Sequence, residues 1–176
     1  MRIIAGKWRG RALATPEGLA TRPTADRVRE ALFSMLQSRI GSFEGLAVAD
    51  IFAGSGALGL EALSRGAARC FFVESDPAAQ QAIRRNIAAL SADAELVPGR
   101  AEHLRLAAPI DLAFLDPPYG SGLAAGVIER LPLAPGGWVS VETGRSEPVV
   151  VEGYETDSHR PYGKARITLL RRSASA

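Results

Sequence analysis

From about residue 46 onwards, apolar and polar positions divide the chain into two kinds of segment. Short apolar runs alternate with longer segments in which apolar side chains recur at the 3.6-residue period of one helix face. The runs predict five buried strands, at Leu46–Phe52, Cys70–Val73, Glu95–Val97, Ile110–Leu115 and Trp138–Glu142. The helices expected between them end near Ser64 or cover Asp76–Leu90, Ala101–Leu106 and Leu123–Leu131. Such alternation is typical of βαβ units, so it predicts an α/β fold with a mostly parallel, doubly wound sheet.

The first forty residues depart from this alternation. Residues 1–20 hold several glycines and a short, strand-like apolar spacing, which predicts a small β-hairpin or an extended arm. A helix is expected from about Ala25 to Ile40, where the apolar positions return to the 3.6-residue period. Thr24 is the expected N-cap of this helix, because a threonine oxygen can accept a hydrogen bond from the first free N–H groups.

The last thirty residues predict a second departure. Val149–Tyr154 and Ala165–Leu170 read as strands on either side of the turn-rich Ser158–Gly163. They are expected to form an antiparallel hairpin at one edge of the sheet and to bring the strand count to seven. The main domain would then cover residues 21–172, followed by a frayed tail at 173–176.

Composition narrows the class of protein. The chain has 176 residues, of which 47% are hydrophobic and 23% are charged, as in ordinary globular domains. Its single cysteine, Cys70, lies in an apolar run and is expected to be buried, which excludes an internal disulfide framework. No stretch reaches the roughly 20 apolar residues that span a bilayer, and charge interrupts the N-terminus too early for a signal peptide. These features predict a cytoplasmic protein without a membrane partner.

The net charge of +2 is unevenly distributed. Residues 1–30 contain seven basic and three acidic side chains, so they carry a formal charge of +4, while the other 146 residues sum to −2. A basic end on a nearly neutral body is the electrostatic pattern of a phosphate-binding arm. A solvated basic tail that only aids solubility is the alternative.

A glycine-rich turn follows the first predicted strand. Gly54, Gly56 and Gly59 have the spacing of a nucleotide-binding turn, and Glu74 lies twenty residues after Gly54 at the end of the next strand. In this topology Glu74 can accept hydrogen bonds from the ribose hydroxyls of an adenosine. Asp50 would offer negative charge to a cationic ligand or organise the loop. The turn alone fits a dinucleotide, S-adenosylmethionine or no ligand at all.

The fourth predicted strand runs directly into Asp116-Pro117-Pro118-Tyr119. Loops after parallel strands meet at one crevice, so this tetrapeptide should face the glycine turn. Its two prolines make the loop rigid and leave its carbonyls free to accept hydrogen bonds. If the Asp116 carboxylate and the Pro117 carbonyl accept hydrogen bonds from both N–H groups of an aromatic amine, the nitrogen can pyramidalise toward a methyl donor. Asp116 would then stabilise the positive charge that develops on the nitrogen. Tyr119 offers a ring on which a base can stack.

The tetrapeptide therefore favours amino-group methylation from S-adenosylmethionine over hydride transfer with a dinucleotide. An incidental surface turn is the alternative for these four residues. The two histidines and the single cysteine are far apart in the sequence, and no metal site is predicted.

Several segments resemble known enzymes. The motifs similar to motifs I, II and IV of class I amino-methyltransferases are Asp50–Gly59, Glu74 and Asp116–Tyr119. The segments that resemble RsmD-type enzymes more specifically are Arg2–Arg11, Thr21–Phe33 and His159–Lys164. This resemblance implies a Rossmann-like class I methyltransferase fold and S-adenosylmethionine as donor. It also implies methylation of the N2 amine of guanine 966 in 16S rRNA, within the small ribosomal subunit or its assembly intermediate. We expect the protein to be a monomer.

The resemblance also assigns binding residues. Those expected to bind the cofactor are Asp50, Phe52, Ala53, Gly54, Ser55, Gly56, Glu74, Ser75, Arg100 and Ala101. Arg100 stands where the family usually has an aspartate that contacts adenine, so backbone groups or Glu102 would take that role. Those expected to bind RNA are Arg2, Lys7, Trp8, Arg9, Arg11, Arg22, Pro23, Thr24 and Arg27. Trp8 would either stack on an unpaired base or fill the core of the hairpin.

Two other functions stay open at this point. The Asp116-Pro117-Pro118-Tyr119 tetrapeptide resembles that of N6-adenine methyltransferases as well, so it indicates the chemistry better than the base. A non-catalytic RNA-binding assembly factor is the other alternative, prompted by Arg100.

Overall fold

The computed structural model describes residues 1–17 and 23–174, with side chains from residue 25 onwards in the second range. Its strands are β1 Ala47–Ile51, β2 Arg69–Glu74, β3 Ala94–Pro98, β4 Ile110–Leu115, β5 Leu133–Gly144, β6 Tyr154–Tyr162 and β7 Ala165–Arg172. They form one seven-stranded sheet in the order β3-β2-β1-β4-β5-β7-β6. The strands β1 to β5 are parallel, and β7 is antiparallel to both β5 and β6. The predicted parallel sheet with an antiparallel edge hairpin is therefore confirmed.

Four α-helices and one 3₁₀ turn connect these strands. They are α1 Pro23–Ile40, α2 Ala57–Ser64, α3 Pro77–Leu90, α4 Leu123–Arg130 and the 3₁₀ turn Ala101–His103. The Asp76 carboxylate caps α3 by accepting a hydrogen bond from Ala79 N at 2.8 Å, as its position before a proline suggests. None of the described helices is both long and apolar enough to cross a membrane.

Two helix predictions need correction. Thr24 is not the N-cap of α1, because the helix already begins at Pro23, whose fixed φ suits a first helical position. The predicted helix Ala101–Leu106 is only the 3₁₀ turn Ala101–His103, since Leu104 already has extended backbone. The other helices match their predicted ranges to within one or two residues.

The sheet is covered on both faces. On one face, α1, α2 and α3 pack over a core that includes Phe33, Phe72 and Phe114. On the other face, α4 and the 3₁₀ turn cover Ile51 and Val139. All five residues of β1 are buried, as expected for a central strand of a parallel sheet with helices on both sides.

The bounds of the edge hairpin differ from the prediction. Val149–Tyr154 is not a strand; β6 instead covers Tyr154–Tyr162 and includes most of the segment predicted as a turn. Val149 and Val151 are buried around the exposed Val150, which imitates the alternation of a strand, but they fill the core from a segment outside the ladder. The actual turn is short and uses Gly163, whose φ is +61°.

The N-terminal segment forms a small hairpin that packs on the main sheet domain. Arg2 and Ala12 form an antiparallel bridge, and Ile3 is almost completely buried. Lys7 N donates to the Ser64 carbonyl oxygen at 2.8 Å at the end of α2. This approach requires a glycine at position 6, where φ is +84° and a Cβ atom would overlap the same carbonyl.

Candidate active site

The candidate site lies where the strand order reverses. From β1 the chain continues to one side of the sheet, and from β4 it continues to the other, so a crevice opens between the carboxyl ends of these neighbouring strands. The crevice is a cleft of about 570 Å³ whose lining includes Gly54 and Ser55 of the glycine turn and Asp116 and Tyr119 of the second loop. The prediction that the two loops face one crevice is confirmed.

The glycine turn is held by Asp50 from within the sheet. Asp50 is 3% exposed, and its Oδ2 accepts a hydrogen bond from Gly59 N in the first turn of α2 at 2.9 Å. Burial raises the pKa of Asp50 to about 8; the Gly59 N–H opposes this shift, and the charges of Asp116 and Glu74 add to it. The carboxyl group organises the loop, which is one of the two roles expected for it.

The third glycine of the turn serves close helix–strand contact. A Cβ atom on Gly59 would lie 2.5 Å from the Phe72 ring and 2.6 Å from Cys70 Sγ. A side chain here would therefore push α2 away from β2 and move the turn. Cys70 is 1% exposed, as predicted from its apolar surroundings.

Glu74 ends β2 beside the same turn. Its Oε2 accepts a hydrogen bond from Gly54 N, and its Oε1 accepts from the N–H groups of Ser75 and Asp76, all at 2.8 Å. A carboxylate has about four acceptor sites, so Glu74 keeps capacity for a further donor such as a hydroxyl. The sequence prediction placed it correctly next to the glycine turn.

A second recess of about 140 Å³ adjoins Glu74. The residues that line it are Phe52, Val73, Glu74, Ser75, Gly99, Arg100, Ala101, Glu102, Pro118 and Leu123. Phe52 also lines the main cleft and has a φ of 60°, a left-handed conformation that is uncommon for a bulky residue. Strained backbone of this kind clusters at ligand sites. The recess lies where the adenosine part of a ligand is expected to bind.

Arg100 and Glu102 stand together at this recess. The Arg100 side chain is 71% exposed, and its Nη2 lies 3.2 Å from Glu102 Oε1. The N–H of Glu102 itself is the main cause that lowers the pKa of the Glu102 carboxyl, and Arg100 also contributes. Arg100 occupies the position where an aspartate was expected, and the ionised Glu102 carboxylate is an acceptor two residues later.

The loop after β4 presents the second set of predicted residues. Pro117 is buried, whereas Asp116, which opens onto the cleft, and Pro118 and Tyr119 are exposed. Glu147 anchors the end of the loop, because its Oε2 accepts a hydrogen bond from Gly120 N at 2.9 Å. The loop is therefore fixed by its prolines and by a carboxylate contributed from outside it.

Asp116 is the carboxyl group of this loop, and its acceptor sites are unfilled by any residue that the structure describes. Within the described residues its side chain forms no hydrogen bond and no ion pair. The walls of the cleft desolvate it and raise its pKa to about 7, and the charge of Glu142 adds to this rise. Asp116 can therefore accept hydrogen bonds as a carboxylate and exchange a proton near neutral pH.

Two residues of the cleft were absent from the prediction. Glu142 on β5 lines the cleft and accepts a hydrogen bond from Tyr119 Oη at 2.6 Å. Desolvation raises the pKa of Tyr119, and Glu142 raises it further. Arg29 on α1 also lines the cleft, is 6% exposed and donates to the Arg2 carbonyl oxygen. The available signal for Glu142 was the alternation of polar Ser140 and Glu142 with apolar valines along β5, which places both polar side chains on one face of the strand.

The predicted RNA-binding residues lie on the hairpin and on α1. Those with exposed side chains are Arg2, Lys7, Arg9, Arg11 and Arg27. Trp8 is partly buried against the core, and Lys7 Nζ lies 4.4 Å from the centre of its ring, which favours the hairpin-core alternative. Arg22 lies outside the described residues, and Pro23 and Thr24 belong to α1.

Comparison with known proteins agrees with this geometry. The family described as Conserved hypothetical protein 95 matches residues 1–171. Ribosomal RNA small subunit methyltransferase D of Escherichia coli (strain K12) is 43% identical over 145 residues, which are 81% of this chain and 71% of that protein. The protein of the same name in Haemophilus influenzae is 38% identical over 167 residues, 85% of this chain and 82% of that one. The solved structure of yhhF from Escherichia coli superposes with a TM-score of 0.87 at 38% identity, covering 99% of this chain and 98% of that chain.

Proposed function

Because the chain belongs to the family of RsmD-type methyltransferases, we propose that it methylates 16S rRNA of the small ribosomal subunit with S-adenosylmethionine as the donor. The proposed target atom is N2 of the guanine numbered 966. One copy of the chain carries both loops of the cleft, so we place the reaction on a monomer. Its substrate would put the reaction in the cytoplasm, on small subunits or their assembly intermediates.

The acidic character of the cleft is the observation that carries the choice of cofactor. Asp50, Asp116 and Glu142 line the cleft beside Arg29, and Glu74 lines the adjoining recess; within the described residues none of these carboxyl groups has a basic ion-pair partner. Asp50 also accepts a hydrogen bond from the first turn of α2, where a dinucleotide would bind its pyrophosphate. Carboxyl groups that a nearby cation can ionise disfavour a pyrophosphate and favour the sulfonium and ammonium groups of S-adenosylmethionine, whose charge would lower the raised pKa values of Asp50 and Asp116.

The residues around the turn fit an adenosine. Glu74 would accept a hydrogen bond from one ribose hydroxyl while it keeps its hydrogen bonds to the turn, and Ser75 borders the same recess. The Glu102 carboxylate would take the adenine amine, because Arg100 has only donors in its side chain. Bound in this cleft, S-adenosylmethionine supplies an electrophilic methyl group.

The second loop would hold the base that receives this group. The Asp116 carboxylate and the Pro117 carbonyl accept hydrogen bonds from the two N–H groups of the amine. Tyr119, whose ring is half exposed, stacks on the base. A bond forms between the amine nitrogen and the methyl carbon as the carbon–sulfur bond breaks. The nitrogen then loses a proton, which Asp116 can accept because its pKa lies near 7. Most of the remaining rate enhancement would come from positioning.

Transfer of tritium from labelled S-adenosylmethionine to small subunits that lack the modification tests this function. Nucleoside analysis of the RNA should yield N2-methylguanosine at a single position. N6-methyladenosine as the product would contradict the choice of base and favour the adenine alternative.

Calorimetric titration with S-adenosylhomocysteine separates the enzyme from a non-catalytic RNA-binding factor. We expect a one-to-one binding heat, reduced in Glu74→Ala and largely unchanged in Asp116→Ala. Absence of heat at high protein concentration would favour the non-catalytic factor.

A further inference from the structure

The position of Glu142 in the cleft bears on which base the cleft accepts. We propose that Glu142 selects guanine by accepting a hydrogen bond from the ring N1–H, next to the amine that Asp116 and the Pro117 carbonyl hold. This assignment rests on the proposed function and adds a specificity-determining residue to it. It follows from the position of Glu142 in the sheet, its contact with Tyr119 and the chemistry of the base edges.

The sheet register places Glu142 directly beside Asp116. In the parallel pairing of β4 with β5, Phe114 is opposite Ser140 and Leu115 is opposite Val141. The next step of this register brings Asp116 opposite Glu142, and both side chains line the cleft. The charge of Glu142 contributes to the raised pKa of Asp116, as expected for adjacent carboxyl groups. A base whose amine is held by Asp116 would therefore present the ring atom beside that amine toward Glu142.

Tyr119 determines which oxygen of Glu142 faces the base. Tyr119 Oη donates to Glu142 Oε1 at 2.6 Å, and within the described residues Oε2 has no hydrogen-bond partner. A tyrosine hydroxyl that donates needs an acceptor opposite it, so it holds one carboxylate oxygen and leaves the other for a ligand. Oε2 is thus an acceptor without a donor in a cleft that receives an aromatic base.

Among the four standard bases, only guanine has a ring N–H next to its exocyclic amine. In adenine and cytosine the ring nitrogen beside the amine is an acceptor, and it would face the Glu142 carboxylate without a hydrogen. A site built to accept a hydrogen bond rejects an analogue that lacks the donor far more strongly than an apolar pocket rejects a change of size. Glu142 therefore favours guanine and disfavours adenine at the same position.

Glu142→Gln should invert this selection. The glutamine oxygen remains opposite the Tyr119 hydroxyl, because that hydroxyl needs an acceptor, and the amide NH₂ then takes the place of Oε2. The variant presents a donor where the native protein presents an acceptor. Such a donor pairs with 2-aminopurine, which keeps the 2-amine but has an unprotonated N1.

The experiment compares two particles in methyl transfer. The 16S rRNA is assembled by ligation with guanine or 2-aminopurine at the target position and reconstituted with small-subunit proteins. We expect the ratio of kcat/KM for guanine to that for 2-aminopurine to fall by about tenfold or more in Glu142→Gln, from the strength of one charge-assisted hydrogen bond. Since both proteins face the same loss of the guanine oxygen O6, the change in the ratio reports the contact at N1.

Tyr119→Phe is the matched control, because it keeps the ring and removes the hydroxyl. Combined with Glu142→Gln it frees the amide to rotate, so guanine activity should partly return. An unchanged ratio in Glu142→Gln, with both substrates slowed equally, would show that Glu142 only positions Tyr119 and would overturn the assignment while leaving the proposed function intact. N6-methyladenosine from the native protein would overturn both.

Discussion

Glu61 and Asp116 are two carboxyl groups whose surroundings differ completely. Glu61 is fully buried in α2 and accepts hydrogen bonds from Ile4 N at 2.8 Å, Ala5 N at 3.0 Å and Arg65 Nε at 2.9 Å. Asp116 opens onto the cleft and has no such partner within the described residues. The first carboxylate fastens the N-terminal hairpin to the domain, and the second is held ready for a ligand.

The comparison distinguishes a structural carboxylate from a functional one by its unfilled acceptor sites. A buried charge is tolerated when hydrogen bonds and an opposite charge compensate its lost hydration, as around Glu61. Where compensation is missing, the carboxyl group takes up a proton more easily, as the raised pKa of Asp116 indicates. A substrate amine or a cationic donor can supply the missing partner.

Removal of the unsatisfied carboxylate should have the largest effect on activity. In Asp116→Ala we expect methyl transfer to fall by about 10²–10³-fold or more, the usual cost of one group that stabilises transition-state charge. Binding of S-adenosylhomocysteine should change little, because Asp50 and Glu74 hold the turn. Asp116→Asn keeps one acceptor oxygen and should lose less. Equal losses of transfer and binding would mean that Asp116 supports the loop rather than the reaction.

Removal of the satisfied carboxylate should affect stability instead. Glu61→Ala leaves two backbone N–H groups and Arg65 without their acceptor, so we expect the free energy of unfolding to fall by about 3–5 kcal/mol. The urea midpoint, at unchanged slope, measures this loss. Glu61→Gln keeps one acceptor and should lose less, while the exposed Glu129→Ala on α4 serves as the control. A loss no larger than that of Glu129→Ala would contradict the fastening role.

The two carboxyl groups should also differ in the sign of a pH effect. The pKa of Asp116 is raised from an ordinary value near 4 to about 7, so its protonated form favours the folded state. The stability that it contributes is complete below about pH 4 and disappears as the pH rises through 7. Asp116→Asn should therefore raise Tm at pH 8 relative to the native protein and have no such advantage at pH 4.

Activity should follow the opposite direction, because the carboxylate form of Asp116 accepts the amine. Methyl transfer should decline below about pH 7 as Asp116 takes up a proton. Glu142→Gln removes a neighbouring negative charge and should move this decline to lower pH. A decline at the same pH in both proteins would show that another group controls it.

The parallel part of the fold could be predicted closely because its signals are local. Apolar runs and helical periods set the bounds of β1 to β4 and of α2 and α3, and Asp76-Pro77 marked the start of α3. The edge hairpin was misplaced because Val149 and Val151 alternate like a strand, although core contacts rather than ladder hydrogen bonds use them. Periodicity reports which side chains are buried but not what satisfies the backbone between them.

The residues of the site also divide into those with a local sequence signal and those without one. The glycine turn, Glu74 and the Asp116-Pro117-Pro118-Tyr119 loop follow from motifs whose spacing is short. Glu142 and Glu61 could not be assigned, because their roles depend on contacts with residues 23 and 57 positions away along the chain. A single charge within the otherwise apolar helix α2 was the one available sign of Glu61, and it did not indicate the partner.

The smallest expected effect concerns the outer surface of the hairpin that Glu61 fastens. Arg9 is exposed there, so Arg9→Ala should leave stability unchanged and weaken binding to small subunits only modestly. If Arg9 contacts a phosphate, the slope of log affinity against log salt concentration should fall by about one, since each phosphate contact releases counterions. Arg105→Ala removes another exposed charge, just after the 3₁₀ turn, and should leave the slope unchanged. Equal slopes for the native protein and Arg9→Ala would restrict the hairpin to the structural role that Glu61 supports.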